Sequence, residues 1–163
     1  VEVTKSLAQY FRLALNQGHE QISLKDEIDH VRQYLFIQKQ RYGDKLQYAI
    51  EEDESIADYK LPKLVLQPLV ENAIYHGIKE IDRHGMIRVT SAAEEGQLIL
   101  SIYDNGRGFD LRDSTDKTLL RLGGVGLKNV DQRLRLQFGD DYHMEIQSEP
   151  DKFTQISLYL PLD

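Results

Sequence analysis

One stretch near the middle of this 163-residue chain, Gln67–Gly77, limits the possible folds most. Placed on a helix, its apolar positions fall on one side, so that side needs a core to pack on. Asn72 and His76 flank the apolar side one turn apart, and Glu71 points about 100° away from Asn72. Consecutive Glu and Asn residues are rare in core helices unless they have partners. This stretch alone is equally compatible with an ordinary surface helix and with a functional one.

Composition excludes several classes of protein. The hydrophobic fraction of 40% is far above that of a disordered chain, and no apolar run is long enough for a membrane helix. The absence of Cys excludes thiol chemistry and Cys-ligated zinc. The formal net charge of -7 argues against nucleic acid as a partner. A nucleotide can still bind an acidic protein where Mg²⁺ and backbone N–H groups contact its phosphates.

The first 43 residues have a helical period. The spacing predicts one helix that ends near residues 16–18 and a second that starts near Ser23, a potential N-cap, and ends at Gly43. We expect these helices to form a hairpin that packs on a missing partner or a second copy, because their apolar faces are narrow. The alternative is that both cover the sheet of the same domain. His30 is expected to be a solvated residue of the second helix.

From Leu46 onwards several segments have a period of two residues, which is typical of half-buried strands. Between the first of these segments and Gly77, Pro62 suits the first turn of a helix, and Pro68 should kink or restart that helix. The hairpin turn between the second and third strands is expected at residues 94–96. The strands are predicted at residues 46–51, 86–92, 97–103, 144–148 and 154–160.

Two glycine-containing motifs stand where a ligand could approach the backbone. Asp104–Gly108 follows an apolar strand, and its two glycines permit unusual backbone conformations, although on its own this motif is better explained by an ordinary turn at the end of a strand. Gly123–Gly126 precedes a helix predicted over 126–138, where N–H groups can bind phosphate; a flexible hinge is the alternative. The polar segment 110–122 has no clear period, and loops of this length are usually functional or mobile. Neither motif continues as a P-loop or a dinucleotide fingerprint.

In this order, the segments resemble the ATPase superfamily of gyrase, chaperone, histidine kinase and MutL proteins. More closely, Leu66–Gly77 resembles the N box of the LytS/YesM class of sensor histidine kinases. Asp104–Gly108 resembles the G1 box of that class and Gly124–Leu127 its G2 box. The resemblance covers nearly the whole chain. It continues through Tyr34-Leu35, Ile37-Gln38, Arg41-Tyr42, Asn129-Val130 and Arg133-Leu134.

The resemblance implies an α/β fold: a two-layer Bergerat-type sandwich, in which a mixed sheet carries helices on one face, preceded by a truncated helical hairpin. Residues 1–43 would be the C-terminal part of the dimerisation and phosphoacceptor hairpin, and residues 44–163 the ATP-binding catalytic domain. The implied activity is transfer of the ATP γ-phosphoryl group to a histidine upstream of this sequence, for relay to a response regulator. The implied protein is a homodimer, and this chain a cytoplasmic part of a membrane-anchored sensor. Alternatives are an ATPase of the same superfamily and a nucleotide-dependent binding module without kinase activity.

The resemblance also implies roles at the phosphate end of a nucleotide site. Asn72 would bind Mg²⁺ through its amide oxygen, Glu71 would polarise the nucleophile, and His76 would lie near the phosphates or the ribose. Gly124 and Gly126 would present N–H groups to phosphate. Residues 110–122 would form the ATP lid, and Leu127 would complete this end of the site.

At the base end, the Asp104 carboxylate would accept a hydrogen bond from the adenine amino group, which guanine cannot supply. Gly106 and Gly108 would leave room for the base. Thr154 would also bind the nucleotide, although this chain has Lys152-Phe153-Thr154 where the family usually has Gly-Thr. The Pro-His-Phe-x-Phe-Asn phosphoacceptor motif of the family is absent from this sequence, and neither His19 nor His30 has its neighbours.

Overall fold

A computed structural model describes residues 2–7, 21–113 and 116–163, without the side chains of residue 113 and of residues 116–125. Residues 2–7 are helical, as predicted for the start of the chain. The rest of the first predicted helix, including His19, lies outside the described residues. The expected packing of that helix therefore stays a prediction.

The fold is organised around a five-stranded mixed sheet with the strand order β2-β4-β5-β7-β6. Strands β2 and β4 are parallel, and the three other neighbouring pairs are antiparallel. A separate two-stranded sheet pairs β1 with β3. The five predicted strands are confirmed, and four of them are slightly longer than their patterns, whereas the two short strands β1 and β3 were not predicted. The bounds of the seven strands are Gln21–Ser23 (β1), Leu46–Glu51 (β2), Lys60–Pro62 (β3), Gly85–Glu94 (β4), Gln97–Asp104 (β5), His143–Glu149 (β6) and Phe153–Pro161 (β7).

One face of the large sheet is covered by helices, because alternate strand residues are apolar and lie in register across neighbouring strands. In β5, Leu98, Leu100 and Ile102 are buried opposite equally buried residues of β7. They share one core with residues of three helices that follow residue 20, namely Leu24–Tyr42 (α1), Leu66–Asn72 (α2) and Asp116–Phe138 (α3). The predicted α/β fold, a mixed sheet with helices on one face, is confirmed.

Helix α1 belongs to this core. It is the second helix of the predicted hairpin, and it was expected to pack on a missing partner, so that expectation is corrected. Its ends are as predicted: the Ser23 hydroxyl accepts from the Asp26 N–H at 3.1 Å, and Gly43 follows its last residue. The side chain of His30 is 2% exposed, so the prediction of a solvated histidine was wrong. Glu27 and Val31 are buried as well, and His30 shares their side of α1, because residues three positions apart in a helix lie on the same face.

Helix α2 starts later than predicted. Pro62 ends strand β3 instead of opening a helix, while Pro68 lies in the first turn of α2. A proline there removes no intrahelical hydrogen bond, so Pro68 neither kinks nor restarts a helix but lies within the first turn of one that begins at Leu66. After Asn72 the helix continues as a π-helical turn over Ala73–Ile78, which is counted below as the C-terminal end of α2, and the Lys79 N–H bonds to the Ile74 carbonyl at 2.9 Å. Such turns are frequent at functional sites.

Helix α3 starts at Asp116, ten residues before the predicted start at Gly126. Of the segment predicted as an irregular lid, Leu111–Asp113 is a 3₁₀ turn and residues 116–122 are helical, while residues 114–115 lie outside the described part. Gly124 and Gly126 therefore lie inside a helix and not at its N-terminus. The prediction was wrong here because glycine disfavours a helix by only about 1 kcal/mol per residue, and tertiary packing can override that preference.

Candidate functional site

The N-terminus of α2 is held by the buried carboxylate of Glu27, which is 1% exposed. Its Oε1 accepts from the Leu64 N–H at 2.5 Å, and its Oε2 accepts from the N–H groups of Val65 and Leu66 at 3.0 and 2.9 Å. Burial raises the pKa of Glu27, and the three N–H groups and the charge of Arg133 oppose that rise. Arg133 also donates to backbone carbonyls just before the helix. The start of α2 is therefore fixed from both α1 and α3.

Asp104 lies at the opposite end of α2. It is the last residue of β5, opposite Ile87 of β4 and Thr154 of β7, so its side chain points to the helix-covered face and is 4% exposed. Its Oδ1 accepts from the Gly106 N–H at 2.9 Å. Among the described residues we find no donor for Oδ2. A buried carboxylate with so few donors is unfavourable unless a ligand supplies more.

The protonation of Asp104 reflects this shortage of donors. Burial raises the pKa of its carboxyl from 3.8 to about 7, and the Gly106 N–H opposes the rise. Near neutral pH the group is therefore divided between its acid and its carboxylate. Strongly shifted carboxyl groups are common at functional sites, because such sites combine burial with specific polar contacts.

Three glycines allow α2, the turn after β5 and the start of β7 to approach closely. A Cβ atom on Gly77 would lie 2.5 Å from Asp104 Oδ1, and one on Gly106 would lie 2.4 Å from the Gly77 backbone. Gly108 has a φ of +59°, and a Cβ there would lie 2.0 Å from the Glu149 carbonyl oxygen. The sequence predicted that Gly106 and Gly108 leave room for a base. In the structure they leave room for the neighbouring backbone, and their predicted role towards a base stays a prediction.

The turn after Asp104 is held by a residue that no motif indicated. Arg83 Nη2 donates to the carbonyls of Asn105, Gly106 and Asp151, at 2.6, 2.8 and 2.9 Å. Thr154, which was predicted to bind the nucleotide, is the direct neighbour of Asp104 across the sheet. Its hydroxyl oxygen lies 2.9 Å from that of Ser148 on β6. The structure thus brings together the residues predicted for the base end.

A groove of about 340 Å³ runs over the outer side of α2. Asn72 lines it, is 7% exposed, and has an Oδ1 atom that is buried without a hydrogen-bond partner among the described residues. A neutral amide oxygen is a type of ligand that Mg²⁺ accepts. Within the described ranges, no three His, Asp or Glu side chains come together as a metal cage. A magnesium ion at Asn72 would then be bound mostly by water and phosphate, as is usual for this ion.

Two other predicted residues line the same groove. Glu71 is exposed, and its Oε1 accepts from Gln67 Nε2 at 2.8 Å. His76 is half-buried and lies edge-on to Tyr75, with 4.9 Å between ring centroids. Burial and the positive charge of Arg107 lower the pKa of His76, so its imidazole is neutral at pH 7. Glu71, Asn72 and His76 therefore form one side of a single cavity.

Two residues of the predicted G2 box, Gly126 and Leu127, have different surroundings. Gly126 lines the groove, where a Cβ atom would lie 3.7 Å from Pro68. Leu127 is buried and belongs to the hydrophobic core. Gly124 lies in the part of α3 whose side chains are not described, so its predicted contact with phosphate stays a prediction.

Helix α1 supplies the wall of the groove that faces α2, which sequence reasoning missed. Tyr34, Gln38, Arg41 and Tyr42 line this wall. Tyr34, Gln38 and Arg41 follow one another at spacings of four and three residues, which places them on one face of a helix. The signal was present in the sequence, because these residues carry part of the family resemblance, but nothing indicated that α1 packs beside α2.

Comparison with known proteins agrees with the family resemblance that the sequence motifs indicated. Residues 57–163 match the family model described as histidine kinase-, DNA gyrase B-, and HSP90-like ATPase, and residues 1–46 match the model described as histidine kinase. Sensor histidine kinase BtsS of Escherichia coli (strain K12) is 36% identical over 160 residues, which cover 98% of this chain and 27% of that protein. Sensor histidine kinase YesM of Bacillus subtilis (strain 168) is 32% identical over 162 residues, with the same two coverages of 98% and 27%.

Among solved structures, the histidine kinase AdeS of Acinetobacter baumannii has a TM-score of 0.64 at 16% identity and covers 98% of this chain and 77% of that chain. Such a likeness shows the fold alone. The chain spans about a quarter of the length of the two curated relatives, 27% in each case. In the described ranges, no helix combines the length and the apolar character needed to cross a membrane.

The larger family match includes both ends of the site. Asn72 and His76, which line the groove, lie within residues 57–163, as do Asp104 and Thr154 beneath the end of α2. The resemblance inferred from the three sequence boxes is thereby confirmed. This chain belongs to the family of histidine kinase-, DNA gyrase B-, and HSP90-like ATPases.

Proposed function

We propose that this chain is the ATP-binding catalytic part of a sensor histidine kinase, which transfers the γ-phosphoryl group of ATP to a histidine outside these 163 residues. The observation that carries the proposal is the buried Asp104 carboxylate, whose Oδ2 has no donor among the described residues, at the end of a helix that also bears Asn72. Relatives that align with 98% of the chain, and that are named sensor histidine kinases, support the reaction class.

At the base end, Asp104 accepts the hydrogen bond of the adenine amino group. Guanine carries an oxygen at the corresponding position, so it offers no donor and is rejected. Thr154 lies beside Asp104 and contributes its hydroxyl, while Gly106 and Gly108 keep the backbone turn close to α2. Binding of the base fixes the orientation of the nucleotide, so that its phosphates lie along α2.

At the phosphate end, Asn72 would hold Mg²⁺ through its unpartnered Oδ1, with no other protein ligand needed. When bound, this ion neutralises charge on the triphosphate. His76, neutral at pH 7, donates a hydrogen bond to a phosphate or the ribose, and Glu71 orients the incoming nucleophile.

Segment 110–122 acts as the lid and brings the G2 residues to the phosphates. The N–H groups of Gly124 and Gly126 become available to phosphate when α3 unwinds at its glycines, which disfavour a helix by about 1 kcal/mol each. Leu127 stays in the core and fixes the end of the helix that remains.

We place the phosphoacceptor outside these 163 residues, because the Pro-His-Phe motif is absent here and His30 is buried in α1. The same proposal includes a homodimer of the whole protein, relay to an aspartate of a response regulator, and a membrane-anchored sensor with this part in the cytoplasm. It also includes the division between a hairpin of residues 1–43 and a catalytic domain of residues 44–163, although α1 shares the core of the latter.

The test is to incubate the chain with Mg²⁺ and radiolabelled ATP, and to measure binding of ATP and GTP by calorimetry. We expect ATP to bind and GTP to bind far more weakly, with no acid-labile, alkali-stable label on the chain. A label that maps to His30 would contradict the position of the acceptor. Rapid phosphate release would favour an ATPase, and nucleotide binding without phosphotransfer by the full-length protein would favour a binding module.

A further inference from the structure

The groove over α2 has a cationic residue to which neither the family resemblance nor the proposal above gives a role. Arg41 lies in the last turn of α1 and lines the groove. Its guanidinium carbon is 5.3 Å from the Tyr42 ring centroid, and the described residues give it no carboxylate partner. Other cations of the same helix are engaged: Lys39 donates to the Leu46 carbonyl at 2.6 Å, and Arg32 pairs with Glu52 at 2.9 Å. Arg41 is therefore available to a ligand of the groove.

The charge in the groove requires such a cation if a triphosphate lies there. Arg41 is the single Lys or Arg among the described residues that line the groove, where Glu71 adds a negative charge. A triphosphate carries more negative charge than one Mg²⁺ neutralises, and phosphoryl transfer depends on further cations at the transferring group. Guanidinium groups suit this task, because they can donate two parallel hydrogen bonds to a phosphate.

Gln38 lies one turn before Arg41 and faces the same groove. Its Oε1 atom is buried, with no hydrogen-bond partner among the described residues. Asn72 presents a second amide oxygen in the same state on the opposite wall. Two buried acceptors without donors in one cavity indicate a ligand that brings donors, and water molecules bound to a metal ion are such donors.

The position of the groove along α2 decides which part of the nucleotide it receives. Asp104 lies at Gly77, whereas the groove extends back along the helix past Asn72 to Pro68. The helix rises by about 1.5 Å per residue, so Asn72 is roughly 7 Å from the base end and Pro68 is farther still. A nucleotide whose base lies at Asp104 and whose phosphates run back along the helix would bring its terminal phosphate to the wall of α1.

We propose that Arg41, with Gln38 beside it, binds the terminal phosphate group of ATP, so that α1 completes the nucleotide site. This inference rests on the proposed binding of ATP. Arg41 would discriminate ATP from ADP, because the two nucleotides differ only in the group that it contacts. The Gln38 Oε1 atom would accept a hydrogen bond from a water molecule bound to the metal ion or from the Arg41 guanidinium, and would so hold that donor against the terminal phosphate.

The experiment compares the affinities of Arg41→Gln and of wild type for ATP and ADP, both with Mg²⁺, by calorimetry. We expect the variant to lose about tenfold or more in affinity for ATP and less than about threefold for ADP. Arg41→Lys should recover part of the ATP affinity, since it restores the charge without the planar fork. Arg32→Gln, on the same helix but paired outside the groove, is the matched control and should leave both affinities unchanged.

Equal losses for ATP and ADP, or no loss for either, would overturn the role of Arg41 while leaving the proposed function intact. If the wild-type chain bound neither nucleotide, the proposed function itself would fail, and the inference with it. Arg41 is exposed, so its replacement should not unfold the chain. A thermal unfolding midpoint of Arg41→Gln equal to that of Arg32→Gln would establish that any loss of affinity arises at the groove.

Discussion

Two buried carboxylates lie at opposite ends of α2, and the protein satisfies them very differently. Glu27, at the N-terminal end, accepts three backbone N–H groups and lies within the field of Arg133. Asp104, at the C-terminal end, accepts one backbone N–H group. Their exposed fractions, 1% and 4%, are almost the same. Burial therefore does not distinguish the two groups, whereas the number of donors does.

The difference supports a structural role for Glu27 and the proposed ligand-binding role of Asp104. A carboxylate that is removed from water must regain its hydrogen bonds from the protein or from a ligand. Glu27 regains them from the protein and holds the helix. Asp104 regains few, keeps a pKa raised to about 7, and so carries an unfavourable charge that a ligand donor relieves. The same comparison predicts opposite effects when each group is replaced.

The largest effect is expected for Glu27→Ala. Three N–H groups at the start of α2 lose their acceptor inside the core, and we expect the free energy of unfolding to fall by about 3–5 kcal/mol. Urea unfolding measures the change. Asp26→Ala, in the same turn of α1, is the control and should lose less than about 1 kcal/mol. Equal losses in the two variants would remove the structural role of Glu27.

Asp104→Asn should lower the affinity for ATP without lowering stability, whereas Glu27→Ala should lower stability. The amide places a donor where the adenine amino group needs an acceptor, so the affinity for ATP should fall by about 1–3 kcal/mol. The free energy of unfolding at pH 8 should rise, because a buried charge is removed. Calorimetry and urea unfolding measure the two quantities. An unchanged affinity for ATP would remove Asp104 from the binding site.

The titration of Asp104 predicts a pH dependence. Its folded-state pKa of about 7 lies above the ordinary value of 3.8, so the folded chain binds more protons between these values. The contribution of this group to stability is therefore full below about pH 4 and is lost as the pH rises through 7. Adenine binding favours the carboxylate, so affinity should fall below pH 7, by at most about tenfold per pH unit.

Measurements of ATP affinity from pH 5.5 to 8.5 test this dependence. Asp104→Asn is the reference, because protonation of ATP itself affects both proteins equally and cancels in the comparison. The wild type should lose affinity towards low pH more steeply than the variant. Parallel profiles would mean that Asp104 does not change its protonation when the nucleotide binds.

Asn72→Ala extends the comparison to a neutral group, whose buried Oδ1 also lacks a partner. We expect this variant to lose less nucleotide affinity than Asp104→Asn, about 1 kcal/mol or less, because the base still binds at Asp104. The loss should be confined to ATP with Mg²⁺, and phosphotransfer by the full-length protein should fall much further. If the affinity for ADP without Mg²⁺ fell equally, the substitution would merely have damaged the helix.

Much of the site could be predicted because it depends on local periodicity. The alternation of Leu98, Leu100 and Ile102 continues to Asp104, so the side chain of Asp104 must share their buried face of the sheet. Ser23 and Gly43 marked the ends of α1 correctly, because caps depend on backbone groups within one turn. The start of α3 lies ten residues before its predicted position, because glycines disfavour a helix only weakly and do not by themselves mark its end.

By itself, then, the sequence determined the five strands of the large sheet and the buried face of each, the ends of α1, and the polar groups along α2, since each of these follows from neighbours within a few residues. Only the tertiary structure decided what those groups meet. Glu27 caps a helix that starts 39 residues further along the chain, and Arg41 faces Asn72 across a groove that exists only because α1 packs beside α2. Hydrogen bonds and charges act through space, and no periodicity records which distant segment supplies the partner.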